Sequence, residues 1–157
     1  MRRLIDWHDR IVRLLSGRIP GAVALLATRI ALAGIFWRSG RSKVVEGTWL
    51  EISDATRFLF AEDYKGVPLP PELAAPLAAW SEHLFPILLV LGLATRLSAL
   101  ALLGMTMVIQ IFVFPEAWWS VHSIWVALCL VLIARGGGLF SLDAAAGRMI
   151  PRASKSA

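Results

Sequence analysis

The segment Leu73–Ala94, LAAPLAAWSEHLFPILLVLGLA, decides the fold. It is long and apolar enough to cross the roughly 30 Å hydrocarbon core of a bilayer, which takes about 20 residues of helix, yet Glu82 and His83 stand in its middle. A charged side chain at that depth costs at least about 2.5–3.5 kcal/mol on insertion scales, so a segment that keeps one needs a partner for it. Three further stretches, Ile19–Trp37, Leu97–Phe114 and Ala117–Ala134, have the same length and character. Arg29 interrupts the first and His122 the last. The expected fold is all-α: a polytopic membrane protein built as a four-helix transmembrane bundle around a buried polar cluster.

Composition agrees with that reading. The 157 residues are 57% hydrophobic with a mean hydropathy of +0.67, too apolar for an ordinary water-soluble domain. The spans leave no room for a second domain, so the lipid bilayer is the first partner the sequence implies. A formal net charge of +5 raises the question of nucleic acid. The basic residues, however, form no stripe interleaved with stacking aromatics, so no nucleic-acid partner is expected. They gather at the borders of the spans instead.

Arg2, Arg3, Arg10, Arg13 and Arg18 precede the first span against Asp6 and Asp9, and Arg135, Arg148, Arg152 and Lys155 follow the last against Asp143. By the positive-inside rule both termini face the cytoplasm of a bacterial inner membrane, with the Thr95-Arg96 hairpin on the same side. Arg38, Arg41 and Lys43 at the start of the outer connection, residues 38–72, run against that bias. Apolar sequence continues past the small residues Ala31-Leu32-Ala33 to Trp37, so the first apolar stretch reads as an uncleaved span rather than a signal peptide.

Residues 1–18 form a separate unit. Leu4, Trp7, Ile11, Leu14 and Leu15 recur at helical spacing opposite Arg3, Asp6, Arg10 and Arg13, the pattern of a basic amphipathic helix lying on a membrane surface. Residues 19–134 hold the spans and 135–157 a cytoplasmic tail, in which Ser141 is placed to cap a short helix. In the outer connection, Trp49, Ile52, Phe58, Leu59 and Phe60 alternate with charged residues, as in short interfacial helices. The connections Thr95-Arg96 and Pro115-Glu116 are so short that consecutive spans pack antiparallel. Gly34, Gly92 and Gly104 are candidate points of close helix approach.

The candidate site follows from depth. Counted from Trp37, Arg29 lies about 12 Å inside the first span, and Glu82 about 9–13 Å inside the second from its outer end, at about 1.5 Å per residue. Matching depth makes Glu82 the expected counter-ion of Arg29. Gln110 and His122 fall about four and five residues inside spans three and four, so Arg29, Glu82, His83, Gln110 and His122 form the expected ligand-binding set. Pro86 removes the hydrogen bond that the Glu82 carbonyl would accept, which adds an acceptor beside the charges. Two isolated histidines without ligand spacing argue against haem or a metal, and Cys129 alone builds no redox pair.

Three runs carry a family resemblance: Arg29-Ile30-Ala31-Leu32-Ala33-Gly34-Ile35-Phe36 with Ser39-Gly40-Arg41-Ser42-Lys43, Glu82 leading to Leu91-Gly92-Leu93-Ala94-Thr95-Arg96, and Gly136-Gly137-Gly138-Leu139-Phe140-Ser141-Leu142-Asp143. In order and spacing they resemble the DoxX family of four-helix membrane proteins. This chain has Gly136-Gly137-Gly138 where that family more often has Gly-Pro-Gly. The resemblance implies a membrane subunit of a quinone-linked or stress-related redox system, with a quinone as the possible ligand and a partner protein or homo-oligomer as the working form. It carries no catalytic residues over. A transport or permeation subunit for a small solute or proton, and a scaffold for periplasmic partners built on the outer connection, are the alternatives.

Overall fold

The computed structural model describes residues 1–149; the tail charges Arg152 and Lys155 lie outside the described residues. The elements are α1 (Arg2–Leu15), α2 (Arg18–Arg41), α3 (Asp54–Glu62), α4 (Pro71–Leu91), α5 (Thr95–Phe112), α6 (Ser123–Arg135) and α7 (Leu142–Met149). A 3-10 turn at Pro115–Ala117 and a wide π-helical turn at Trp118–His122 lead into α6. Four helical segments, Arg18–Arg41, Pro71–Leu91, Thr95–Phe112 and Pro115–Arg135, are long and apolar enough to cross a membrane. The expected all-helical architecture of four spans and a leading amphipathic helix is the one the chain adopts.

The spans close into a ring in which α2 packs on α4, α4 on α5, α5 on α6 and α6 on α2. Leu32, Phe36, Leu89, Leu102, Cys129 and Leu132 fill its centre. The opposite faces, among them Leu84, Ile87, Val90, Leu97 and Ile111, stay exposed, as lipid-facing residues do. No residue of α1 is buried. Its apolar face leaves Leu4, Trp7, Leu14 and Leu15 open, the pattern of an interfacial helix. The helices α1 and α7 lie on one side of the bundle, the terminal face. The long 38–72 connection lies on the other, the loop face.

The register of α2 against α4 is fixed by two glycines. A Cβ on Gly40 would come within 2.9 Å of the His83 ring and 3.0 Å of the Glu82 Cβ, and one on Gly92 would collide with the Arg29 guanidinium and with Ser141. Gly40 is therefore level with Glu82, and Gly92 with Arg29. Of the three glycines expected at close approaches, Gly92 serves that role. A methyl group on Gly34 or Gly104 would meet nothing within 4 Å, so both face outward, while Gly40 and Gly137 take the close contacts instead.

Because Arg41 at the end of α2 reaches only about the level of Ser81, α4 rises about 15 Å beyond it at 1.5 Å per residue. The loop face is built against this overhang. An isolated antiparallel bridge joins Val44 and Ile52, Ser53 caps α3 through its Oγ and the Thr56 N–H at 3.2 Å, and Val44, Ile52, Phe60, Ala74, Ala75 and Ala79 bury one another in a second small core. The 38–72 connection is a packed cap.

At the terminal face the α4–α5 hairpin is locked by the tail. Gly92 in the left-handed region ends α4, with the Leu93 N–H donating to the Leu88 carbonyl at 2.9 Å, a Schellman closure. Ala94 also has positive φ. The freed N–H groups of Ala94 and Thr95 donate to the two Asp143 carboxylate oxygens at 2.8 and 2.9 Å. Ser141 caps α7, accepting from the Ala144 N–H at 3.1 Å. Burial works to raise the Asp143 carboxyl, but those backbone donors and the Arg29 guanidinium hold it below the usual carboxylate range.

Two expectations follow. Asp143→Ala orphans two backbone donors and costs about 1–3 kcal/mol. Since the folded carboxyl titrates below its unfolded value of about 3.9, that contribution is present above pH ~4 and lost as pH falls through the depressed value. Gly92→Ala, with positive φ and no space for a methyl, lowers stability by about 2–5 kcal/mol, whereas Gly34→Ala does not. Thermal unfolding of the detergent-solubilised variants across pH measures both.

Candidate functional site

The expected Arg29–Glu82 pair does not form. Each side chain on a helix leans toward that helix's N-terminus, and α2 and α4 run antiparallel, so Arg29 leans to the terminal face and Glu82 to the loop face. Register adds to the separation: from Arg29 to the level of Glu82 is about 16 Å of helix. Counting depth from Trp37 fails because α2 continues to Arg41 and its end is not level with the start of α4.

Arg29 is fully buried at the terminal end. Its Nη2 donates to the Phe140 carbonyl, and its Nε and Nη1 find no hydrogen-bond partner among the described residues. Asp143 is the acid that acts on it. The cationic side chain thus ties the first span to the tail that follows the last.

Glu82 has a different partner. Lys43 Nζ, delivered by the cap just beyond the end of α2, lies 2.8 Å from Glu82 Oε2. Ser39 Oγ donates to Glu82 Oε1 at 3.1 Å, and Lys43 Nζ donates to Ser39 Oγ at 2.9 Å. The Glu82 side chain is 2% exposed and that of Lys43 14%, so this is a buried pair whose severing costs about 3–5 kcal/mol.

The pair borders a cavity of about 440 Å³ between the bundle and its cap. Its lining includes Phe36, Ser39, Lys43, Phe60, Tyr64, Leu77, Glu82, Phe85, Met105, Ile109, Phe114, His122 and Trp125. Most of the wall is apolar, and the polar groups converge from α2, α4, the cap and the π-helical turn. The volume falls within the roughly 300–1,000 Å³ of small-molecule sites. Tyr64 closes the cap side, its ring 5.0 Å from Phe60 and 6.0 Å from Phe114, edge-on to both.

Of the five residues that the sequence pattern singles out, Glu82 and His122 line this cavity. Gln110 stands behind His122, its Oε1 2.7 Å from His122 Nδ1. His83 turns away: its Nδ1 is 2.6 Å from the Ala79 carbonyl and its ring packs edge-on to Trp37 at 5.0 Å. Arg29 belongs to the terminal-face cluster. Lys43, Ser39 and Tyr64 join the site although the sequence pattern does not single them out. Lys43 did leave a signal, as a cation on the face where the charge bias disfavours one. Among the described residues no three His, Cys, Asp or Glu side chains are grouped to hold a metal.

Comparison with known proteins places these features in a lineage. The profile of the DoxX family matches residues 24–115. The chain belongs to the DoxX family. An uncharacterized protein of Haemophilus influenzae is 34% identical over 152 residues, covering 87% of this chain and 91% of that protein. No solved structure matches. The family match spans α2 to the 3-10 turn and so takes in the Lys43–Glu82 pair and Gln110.

Tyr64 is the single tyrosine of the chain, which makes its environment measurable. Burial first, then the negative charges of Glu82 and Asp63, raise its phenol above the ordinary value of 10. The neutral phenol therefore contributes stability that is present below about pH 10 and is lost as the pH rises through the raised value. The phenolate absorbance of the folded protein should titrate above 10, and Glu82→Gln should bring the midpoint down. A midpoint at 10 in both proteins would place Tyr64 outside the cavity.

Proposed function

We propose that this DoxX protein is a non-catalytic membrane subunit of a quinone-linked or stress-related redox system, whose loop-face cavity holds a small amphipathic ligand while a partner protein or a second copy carries out the redox chemistry. The observation that carries the reading is the buried Lys43–Glu82–Ser39 cluster on the wall of an otherwise apolar cavity. Buried ionisable groups in a span are costly, and they mark ligand or proton sites. A ring-sized head group fits a cavity of about 440 Å³, with apolar walls for its hydrocarbon surface and polar groups for its oxygens.

The charge pattern supports a place in a bacterial inner membrane with both termini cytoplasmic, because Arg2, Arg3, Arg10, Arg13 and Arg18 precede the first span and Arg135 and Arg148 follow the last. In that orientation the cavity opens toward the outer leaflet, where a membrane-dissolved quinone and a periplasmic partner both have access. Arg38, Arg41 and Lys43 on the loop face are outnumbered by the basic residues that flank the spans on the terminal face.

The test uses Trp125, which lines the cavity. A short-chain benzoquinone titrated into the detergent-solubilised full chain should quench tryptophan fluorescence saturably. Replacing the pair by the near-isosteres Lys43→Met and Glu82→Gln together, which avoids stranding one buried charge, should weaken that binding about tenfold or more with helicity unchanged. Non-saturable quenching in the parent protein, or equal affinity in the folded double variant, would overturn the reading.

A further inference from the structure

The cavity has one polar wall whose hydrogen-bond direction is dictated by the backbone. Gln110 Nε2 lies 2.7 Å from the Pro115 carbonyl, and a carbonyl only accepts, so the amide nitrogen of Gln110 must point there. Its Oε1 then faces His122 Nδ1 at 2.7 Å. A carboxamide oxygen also only accepts, so the proton of that contact sits on Nδ1. In the neutral imidazole the lone pair is left on Nε2. Nε2 has no partner among the described residues, and the ring lines the cavity.

The ring is held in that pose. Trp125 packs against it with centroids 5.2 Å apart, and Phe36 backs Trp125 at 5.4 Å. The π-helical turn Trp118–His122 brings His122 inward over the end of α5, and such turns recur at functional positions. The second ionisable acceptor on the cavity wall is the Glu82 carboxylate, whereas the Lys43 ammonium is already taken by Glu82 and Ser39. With the cation occupied and the Tyr64 hydroxyl able to accept as well as donate, acceptors on two walls suit a ligand that brings its own hydroxyl donors.

We propose that neutral His122, with its tautomer set by Gln110, accepts a hydrogen bond at Nε2 from a ligand hydroxyl, so that the cavity selects a dihydroxy aromatic of the quinol type over the corresponding quinone or ether. This rests on the cavity being a ligand site, and adds the identity of the acceptor and the redox state of the ligand it favours. Gln110 is a positioning residue: it touches His122 rather than the ligand. Nothing in this step moves electrons; it is recognition of an O–H group by a fixed lone pair.

The experiment compares three probes on the full chain in nanodiscs under anaerobic conditions: a short-chain benzoquinol, its di-O-methyl ether and its benzoquinone. The quinol should bind about tenfold more tightly than either, the penalty for leaving a buried acceptor unpaired. Gln110→Leu and His122→Phe should each reduce the preference to near unity. Nitrogen-15 spectra of histidine-labelled protein, with the His122 signals assigned by their loss in His122→Phe and those of His8 by His8→Ala, should show a protonated Nδ1 in the parent. That measurement needs no folded Gln110 variant; where Gln110→Leu folds, the proton should shift to Nε2. Equal affinity for quinol and ether in the parent, or a proton on Nε2, overturns the inference and leaves the cavity reading standing. Failure of all three probes to bind overturns both.

Discussion

Two glycines, Gly40 and Gly92, set the geometry on which the rest of this bundle depends. At Gly40, α2 and α4 approach so closely that a methyl group would meet the His83 ring and the Glu82 Cβ; at Gly92 it would meet the tip of the Arg29 side chain and Ser141 of the tail. The Gly40 contact is discrete: a side chain in its place would run into the Glu82 Cβ and the His83 ring. The register the two glycines impose puts the two charged residues of the first pair of spans at opposite ends of the bundle, each held by a group from outside the spans, with Ser39 of α2 as a further donor to Glu82. Arg29 takes the Phe140 carbonyl and the influence of Asp143; Glu82 takes Lys43 and Ser39.

Each charge thereby fastens a non-helical segment to the bundle. At the terminal face the tail returns across the α4–α5 hairpin, where Asp143 accepts from Ala94 and Thr95 while Gly92 accepts from the Asp143 N–H at 2.9 Å. At the loop face Lys43 reaches in from the cap, whose own small core rests on the overhang of α4. In a low-dielectric setting an ion pair is strong only if its geometry is held, because the desolvation cost is always present. The bridge between Val44 and Ile52 and the bond from the Ser53 N–H to the Lys43 carbonyl at 3.1 Å hold the backbone on either side of Lys43. The cap is therefore both the source of the cation and the lid of the cavity.

The spans, the amphipathic first helix, the shortness of the connections and the Ser141 cap were legible in the sequence because each rests on local pattern: run length, period and end signals. The first hairpin, expected at Thr95-Arg96, turns instead at Gly92-Leu93-Ala94, with Thr95 and Arg96 already in α5. The site was legible in part. Glu82, His122 and Gln110 stand out because a polar group inside an apolar run is conspicuous wherever it ends up. Their grouping does not, since it depends on register and on the lean of side chains along antiparallel helices, neither of which a count from the ends of apolar runs contains. Trp37 looks like the end of a span because polar residues follow it; the helix goes on to Arg41, with Ser39 bonded to Glu82, Arg41 donating to the Thr48 carbonyl of the cap at 2.7 Å, and Arg38 exposed. Lys43 and Tyr64 lie in a connection of mixed composition, where nothing local separates a cavity residue from a solvated one.

The electrostatics of the cavity bear on what it holds. Lys43 and Glu82 are the formally charged residues of its lining, and they neutralise each other. A site for a metal ion or a permeant anion would carry an excess of the opposite sign, as ion-selective sites do; this one presents a cancelled pair, a phenol and an imidazole among aromatic and aliphatic side chains. Its chemistry suits an uncharged molecule with a few oxygens at one end and hydrocarbon at the other, able to enter from lipid without shedding a hydration shell. Such a ligand gains its orientation from hydrogen bonds rather than from net charge. The fixed polarity of the Pro115–Gln110–His122 relay then works beside the ion pair: Glu82 offers one acceptor on the cavity wall, and the relay decides which partner atom a bound oxygen must present at the other.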